Sequence, residues 1–490
     1  MLDTERPHPK TTPLSQLANE DLPAAIELLK EVDRDALAIL GDKMESLIPL
    51  AEAIAATLYA GKKIFLCGCG ATGRLSISLE IFARDGLLEG ATPGNVIGFM
   101  AGGDAALIRF IERFEDRPDY GERQMRDLGF SDGDLLISST EGGETPFVIG
   151  ATEAAAQISD QAPFFLHCNP DSILVEHVER SRAIIENPAI HKINLAVGPM
   201  ALSGSTRMQA STVLMAGIGF AMKHSRNPEA MKADFDAWQQ WAIETVDWSF
   251  LSDFTELESA TYKAGEFVLY DPGPFGITVL TDTTERSPTF TLTPFERSGE
   301  SDPPSFCYLH LPKTDSVSEA WAHLLNREPR PLEWGDLSQV TNAEAMTKFD
   351  FSNAVVENRS NKTQHSFRIS SNTEAIIWKF SNATHRIAVP ESVDFFGQNL
   401  LLKLLLNAHS TLIMGRLHRY EDNLMTYVSA NNFKLIDRAV RYVRLLLEPH
   451  HELVVDYETV TRRLLEEKET LQPDEPIVLK TVAAILGGNP

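Results

Sequence analysis

Five short apolar runs, each ending in glycine or a polar turn and each followed by a helical stretch, constrain this chain more than any other feature. They are "KKIFLCGCG" from residue 62, "NVIGFMAGG" from 95, "DLLISSTEGG" from 134, "PFFLHCN" from 163 and "HKINLAVGP" from 191. Buried strands that alternate with helices form a parallel α/β sheet. Ligands of such sheets collect at the carboxyl ends of the strands, where this chain places its small and polar residues.

A second unit follows a helical stretch around 227–264. "AGEFVLYDPGPFG" echoes "AGKKIFLCGCGATG", with Gly273 and Gly276 in the places of Gly70 and Gly73. Further strands are predicted at "SFCYLHLP", "EAIIWKF" and "HRIAVP". Long helices carry the similar segments "STVLMAG" (211–217) and "STLIMG" (410–415), so the chain reads as a diverged internal duplication. Residues 1–13 are polar and Pro-rich and are expected to be loose. The spacing from Leu14 to Tyr59 is helical, and so is the amphipathic stretch from 431, which would cap both units. The divisions are therefore an N-terminal helical segment (1–45), a first α/β domain (46–225), a second (226–430) and a helical lid (431–490).

Charge narrows the partners. With 44 basic and 69 acidic residues the formal charge is −25, which repels nucleic acid and anionic membranes. A local pocket for a small anion remains open. No secretory pattern begins the chain, and the run "STVLMAGIGFAMKH" is too short to span a bilayer, so a cytoplasmic location is expected. Cys67, Cys69, His167 and Cys168 lack zinc-knuckle spacing, and no metal is expected. No cofactor is expected either. "GCGATG" fits a dinucleotide loop, yet Asp104 lies beyond two glycines, out of place for a ribose.

Three loops carry candidate binding groups. In "GCGATGR" (68–74), Gly70 and Gly73 allow close backbone approach, Thr72 adds a hydroxyl and a helix N-terminus follows. "SSTEGGETP" (138–146) offers Ser139, Thr140 and Thr145 with the N–H groups of Gly142 and Gly143; Thr145–Pro146 reads as an N-cap and first helical residue. Glu141 and Glu144 in this loop oppose a phosphate unless they turn outward or pair with Arg74 or Arg207; if they point in, the ligand carries an amine or lacks phosphate. In "GPMALSGSTRM", Ser203, Ser205, Thr206 and Arg207 open a long helix as an anion cradle.

Together "GCGATGR", "AGGD…FED", "TPFVIGA", "CNP" and "GP…SGSTRM" resemble the sugar isomerase (SIS) domain, from about residue 60 to 220. More narrowly they resemble N-acetylmuramic acid 6-phosphate etherases and the glucokinase regulatory protein. The resemblance implies two flavodoxin-like SIS domains with parallel sheets flanked by helices, paired as a pseudo-dimer within one chain, and a C-terminal helical lid. It further implies two site glutamates. The first half has Phe82 at one position and Glu115 at the other, while the second half supplies Glu285 at the first. The second phosphate loop has become "DPGPFG", where prolines remove donors and Phe275 adds bulk. Arg416 matches a lysine that reaches the sugar phosphate in the regulatory protein.

One composite site is therefore expected, with Glu115 and Glu285 as catalytic pair. The leading function is a carbon–oxygen lyase of the etherase type acting on a phosphorylated amino sugar. Two alternatives stay open: a hexose-phosphate sensor with a sugar kinase as partner, and an aldose–ketose isomerase.

Overall fold

A computed structural model describes residues 1–430, 433–472 and 474–487. All five runs of the first half are strands of one parallel sheet: β1 (Ile64–Gly68), β2 (Val96–Met100), β3 (Leu135–Thr140), β4 (Phe164–His167) and β5 (His191–Asn194). Their order is β2-β1-β3-β4-β5, the flavodoxin-like arrangement in which the chain reverses direction beside β1. β1, β2 and β3 are buried along their whole length, which is why they read as unbroken apolar runs and not as alternating ones.

Divergence of the second half is visible in its sheet. β6 (Phe267–Asp271), β7 (Cys307–Leu309) and β8 (Gln364–Ser371) are parallel, but β9 (Ala375–Phe380) and β10 (Ala383–Ala388) return antiparallel in the order β10-β9-β8-β6-β7. Strand β8, reading "QHSFRISS", was not anticipated. Only Phe367 and Ile369 of it are buried, so it lacks the apolar run by which its neighbours β6 and β9 are read.

The two halves share one hydrophobic core. The helix Gln209–Lys223 packs against the helix Phe395–Arg416, and Phe82 meets Phe395 and Phe396 at ring separations of 6.3 and 5.8 Å. Phe82 is thus part of an aromatic seam. The similar segments 211–217 and 410–415 occupy different positions along their helices. The first lies near the start of its helix and the second at the end of its own.

Residues 1–13 are not loose. Thr4, Glu5 and Thr11 are buried, because Thr4 exchanges hydrogen bonds with Asn169 and Glu5 holds Arg438 of the helix Phe433–His451. A short polar segment can be ordered where each polar group finds a buried partner.

Candidate functional site

The three loops converge at the carboxyl ends of β1 and β3. Gly70 ends the first with φ +56°, immediately before the helix Ala71–Phe82. That conformation favours glycine. Gly73 lets this helix lie against β2, since a Cβ there would meet that of Met100 at 2.5 Å. The Thr72 hydroxyl is spent locally: it accepts from the Cys69 N–H at 3.1 Å and donates to the Cys69 carbonyl at 3.0 Å.

In the second loop Thr145 and Pro146 begin the helix Pro146–Ile158 as the sequence predicts. Thr145 Oγ1 lies 3.0 Å from Thr140 Oγ1, and the Ser139 hydroxyl is buried against the Cys67 carbonyl. The loop is fixed from behind: Asn169 of "CNP" donates to the Gly142 carbonyl at 3.0 Å, and Ser181 donates to that of Gly143 at 2.7 Å. Glu144 pairs with neither Arg74 nor Arg207. Its carboxylate is 3.5 Å from Arg180. Glu141 and Glu144 both line the cavity itself.

That cavity, of about 150 Å³, is lined by Gly70, Gly142, Thr145, Thr206, Glu115 and Arg438, among others. It draws together all three loops, one of the two expected glutamates and a cation that the sequence did not single out. Arg438 donates to both carboxylate oxygens of Glu5, at 3.0 and 2.7 Å. Burial disfavours its charge, but Glu5, Tyr442 and Glu115 outweigh burial and hold its pKa above the ordinary range. Glu5 also faces the cavity. Nothing in the local sequence marks Arg438, one of several arginines on an amphipathic helix.

The remaining expected residues go elsewhere. Arg207 turns away from the cavity, donating from Nη1 to Asp282 and Asn407 at 3.2 and 3.3 Å and from Nη2 to Ser410 and Thr411 at 3.2 Å each. Those acceptors all belong to the second half. Ser205 is buried, and its hydroxyl has no hydrogen-bond partner among the described residues; Ser203 donates to the Glu5 carbonyl. Arg416 is bound to Ser259 at 2.9 Å and to the Ala18 carbonyl at 3.3 Å, and it does not line the cavity.

Glu285, in the helix Gly276–Phe290, lines a separate cavity of about 20 Å³ with Asp282, Lys403 and Asn407. Ala71 borders both cavities. The Glu285 carboxylate is 3.7 Å from Arg74 Nη1, and both groups are buried. Burial drives the Lys403 pKa down to about 8 against the pull of Glu285, and Lys403 donates to the Arg207 carbonyl at 2.7 Å. In the second half the loop corresponding to "GCGATG" is filled: Phe275 is fully buried and stacks on Phe395 at 5.7 Å. Among the described residues no group of three or more His, Cys, Asp or Glu side chains is arranged to hold a metal ion. No helix of the described residues is long and apolar enough to cross a membrane.

Fold and loops together define a tandem α/β protein, with an open cavity at the loops of the first half and a filled counterpart loop in the second. Residues 47–156 match the glucokinase regulatory protein N-terminal SIS domain family. The chain is also similar to the N-acetylmuramic acid 6-phosphate etherases of Thermosynechococcus vestitus (35% identical over 210 residues, 43% of this chain and 62% of that protein) and Prochlorococcus marinus (33% over 214 residues, 43% and 61%). The match thus spans less than two thirds of either relative. A solved structure of tagatose-6-phosphate ketose/aldose isomerase from Escherichia coli overlays 80% of this chain and 94% of its own, at 14% identity and a TM-score of 0.43.

Proposed function

We propose that this protein binds a phosphorylated amino sugar in the cavity at the ends of β1 and β3 and cleaves its lactyl ether, as the etherases it resembles are named for doing. The observation that carries this reading is the meeting of two helix N-termini, Thr145, Thr206, Arg438 and Glu115 around one cavity. Helix N-termini and a guanidinium favour a phosphate. Glu144 is 3.5 Å from Arg180, which lessens its opposition to an anion, while Glu5 and Glu141 in the same lining favour a ligand that also carries hydrogen-bond donors, as an amino sugar does. Arg438 takes the role that the sequence assigned to Arg207 and Arg416.

The chemistry asked of a carboxylate here is general acid–base catalysis. A base removes the proton α to the carbonyl of the ring-opened sugar. The C3–oxygen bond to lactate then breaks as the lactyl oxygen takes up a proton, leaving a double bond to which water adds. This reading gives one half of the work to Glu115, which lines the cavity beside Glu5, Glu141 and Glu144. Glu285 would have to reach the sugar past Ala71 and away from Arg74.

That requirement favours a second reading, a hexose-phosphate sensor that grips a sugar kinase. The specific observation is the seclusion of Glu285, only 5% exposed and ion-paired with Arg74.

Incubating the full chain with N-acetylmuramic acid 6-phosphate and following lactate separates the two. Lactate from the wild type, lost in Glu115→Gln and in Glu285→Gln, supports a two-carboxylate lyase. Lactate lost only in Glu115→Gln leaves Glu285 a packing residue. No lactate, with thermal stabilisation by the same sugar phosphate, sinks the lyase reading in favour of the sensor.

A further inference from the structure

Glu115 stands at the end of residues 108–115, a stretch with two anchors outside the first half. Near its start, Arg109 reaches across to the second half. Its Nε and Nη2 donate to the Phe295 carbonyl at 2.9 and 2.6 Å, and Nη2 also donates to Asp302 at 2.6 Å. The guanidinium lies over the Phe349 ring, 5.3 Å from its centroid. Asp302 is itself held by Arg297 at 2.9 and 2.8 Å, so the acceptor is fixed before Arg109 arrives.

The second anchor is Phe114, the immediate neighbour of Glu115 and fully buried. Its ring stacks on Trp334 at 5.8 Å and 26° and meets Tyr120 at 5.2 Å. Trp334 is locked in turn: Nε1 donates to Asp127 at 3.0 Å, and Arg123 covers its ring at 4.3 Å. It belongs to a strap, 326–341, that leaves the second half and crosses the first beside β2. Arg327 grips Asp104 at 2.6 and 3.0 Å, and Arg330 grips Glu80 at 2.7 and 3.0 Å.

Phe110, just after the first anchor, and Glu115, just after the second, line the cavity. We infer that Arg109 and Trp334 are positioning residues: the second half, which among the described residues brings no side chain to this cavity apart from the lid's Arg438, determines where Glu115 stands within it. This rests on the reading that Glu115 acts on a sugar phosphate bound there. A carboxylate held on a short, partly exposed helix needs such support, because a displacement of about 1 Å costs on the order of a hundredfold in rate.

Two measurements on the full chain test it. The first is backbone hydrogen exchange at 108–115 without substrate, in the wild type, Arg109→Ala, Trp334→Ala and Trp334→Phe. Faster exchange confined to that stretch in the two alanine variants, restored in Trp334→Phe, is expected. Unchanged exchange overturns the clamp, whatever the protein binds. The second is lactate release from N-acetylmuramic acid 6-phosphate. Arg109→Ala and Trp334→Ala should lower kcat about tenfold or more with KM within about twofold, because the phosphate loops stay intact. A raised KM with kcat unchanged, or no change in either, overturns the positioning role. If the wild type releases no lactate, the lyase reading fails on its own and hydrogen exchange alone decides the clamp. Should Trp334→Ala not fold, Arg109→Ala, whose side chain is only part-buried, decides by the same two outcomes.

Discussion

At the scale of single residues, the structure redistributes charge. Arg207 has the right type and place in the chain for an anion cradle, yet it is fully buried against Asp282, Asn407, Ser410 and Thr411. A buried guanidinium goes where buried acceptors are, because leaving it without them costs several kcal/mol. Asp33 shows the reverse case. It is buried, accepts one hydrogen bond from Gln209 at 2.7 Å, and burial raises its pKa from 3.8 to about 7. Protonation therefore favours the folded state: the benefit is full below pH 3.8 and is lost as pH rises through 7. Asp33→Asn can still accept from Gln209 without carrying charge. It should match the wild type near pH 4 and exceed it at pH 8 by on the order of 2–4 kcal/mol. Denaturant midpoints at the two pH values check this, and equal midpoints at pH 8 would remove the buried-charge argument.

At the scale of elements, the N-terminal segment is the surprise. Its polar residues suggest looseness, but Thr4, Glu5 and Thr11 are tied to Asn169, Arg438 and the Ala201 carbonyl. Glu5 thereby places a negative charge in a cavity proposed for a phosphate. Replacing it with glutamine keeps the shape and removes that charge, while Arg438 gains capacity for an external anion. Glu5→Gln should bind inorganic phosphate roughly three- to tenfold more tightly, an effect of Coulombic size for a part-buried site. Titration calorimetry reads it directly, and weaker binding would show that Glu5 orders Arg438 more than it competes for it. The loops after β1 and β3 were legible from glycines, hydroxyls and a Thr-Pro pair. Strand β8 was not, because only two of its side chains are buried.

At the scale of the whole molecule, the halves are interlocked rather than adjacent. Glu80 and Asp104 of the first half are buried, and their cations include Arg327 and Arg330 of the second. Arg207 depends on the second half for its acceptors. Removing one partner of a buried pair costs about 3–5 kcal/mol, and several such pairs cross this boundary. The full chain should therefore unfold in one transition, with calorimetric and van't Hoff enthalpies equal. Residues 46–225 produced alone should give no cooperative transition. Two resolved transitions in the full chain would refute the interlock.

The sequence by itself determined the first sheet, its loops, the filled loop at Phe275 and the presence of a second α/β unit. Those features rest on local rules: apolar runs, glycine conformations and helix starts act over a few residues and are written where they act. Tertiary structure decided which charges meet. It put Arg438 at the cavity in place of Arg416, turned Arg207 toward Asp282, and set Glu115 and Glu285 in neighbouring but separate cavities. A side chain several bonds long can reach in many directions, and the direction it takes depends on partners hundreds of positions away in the chain.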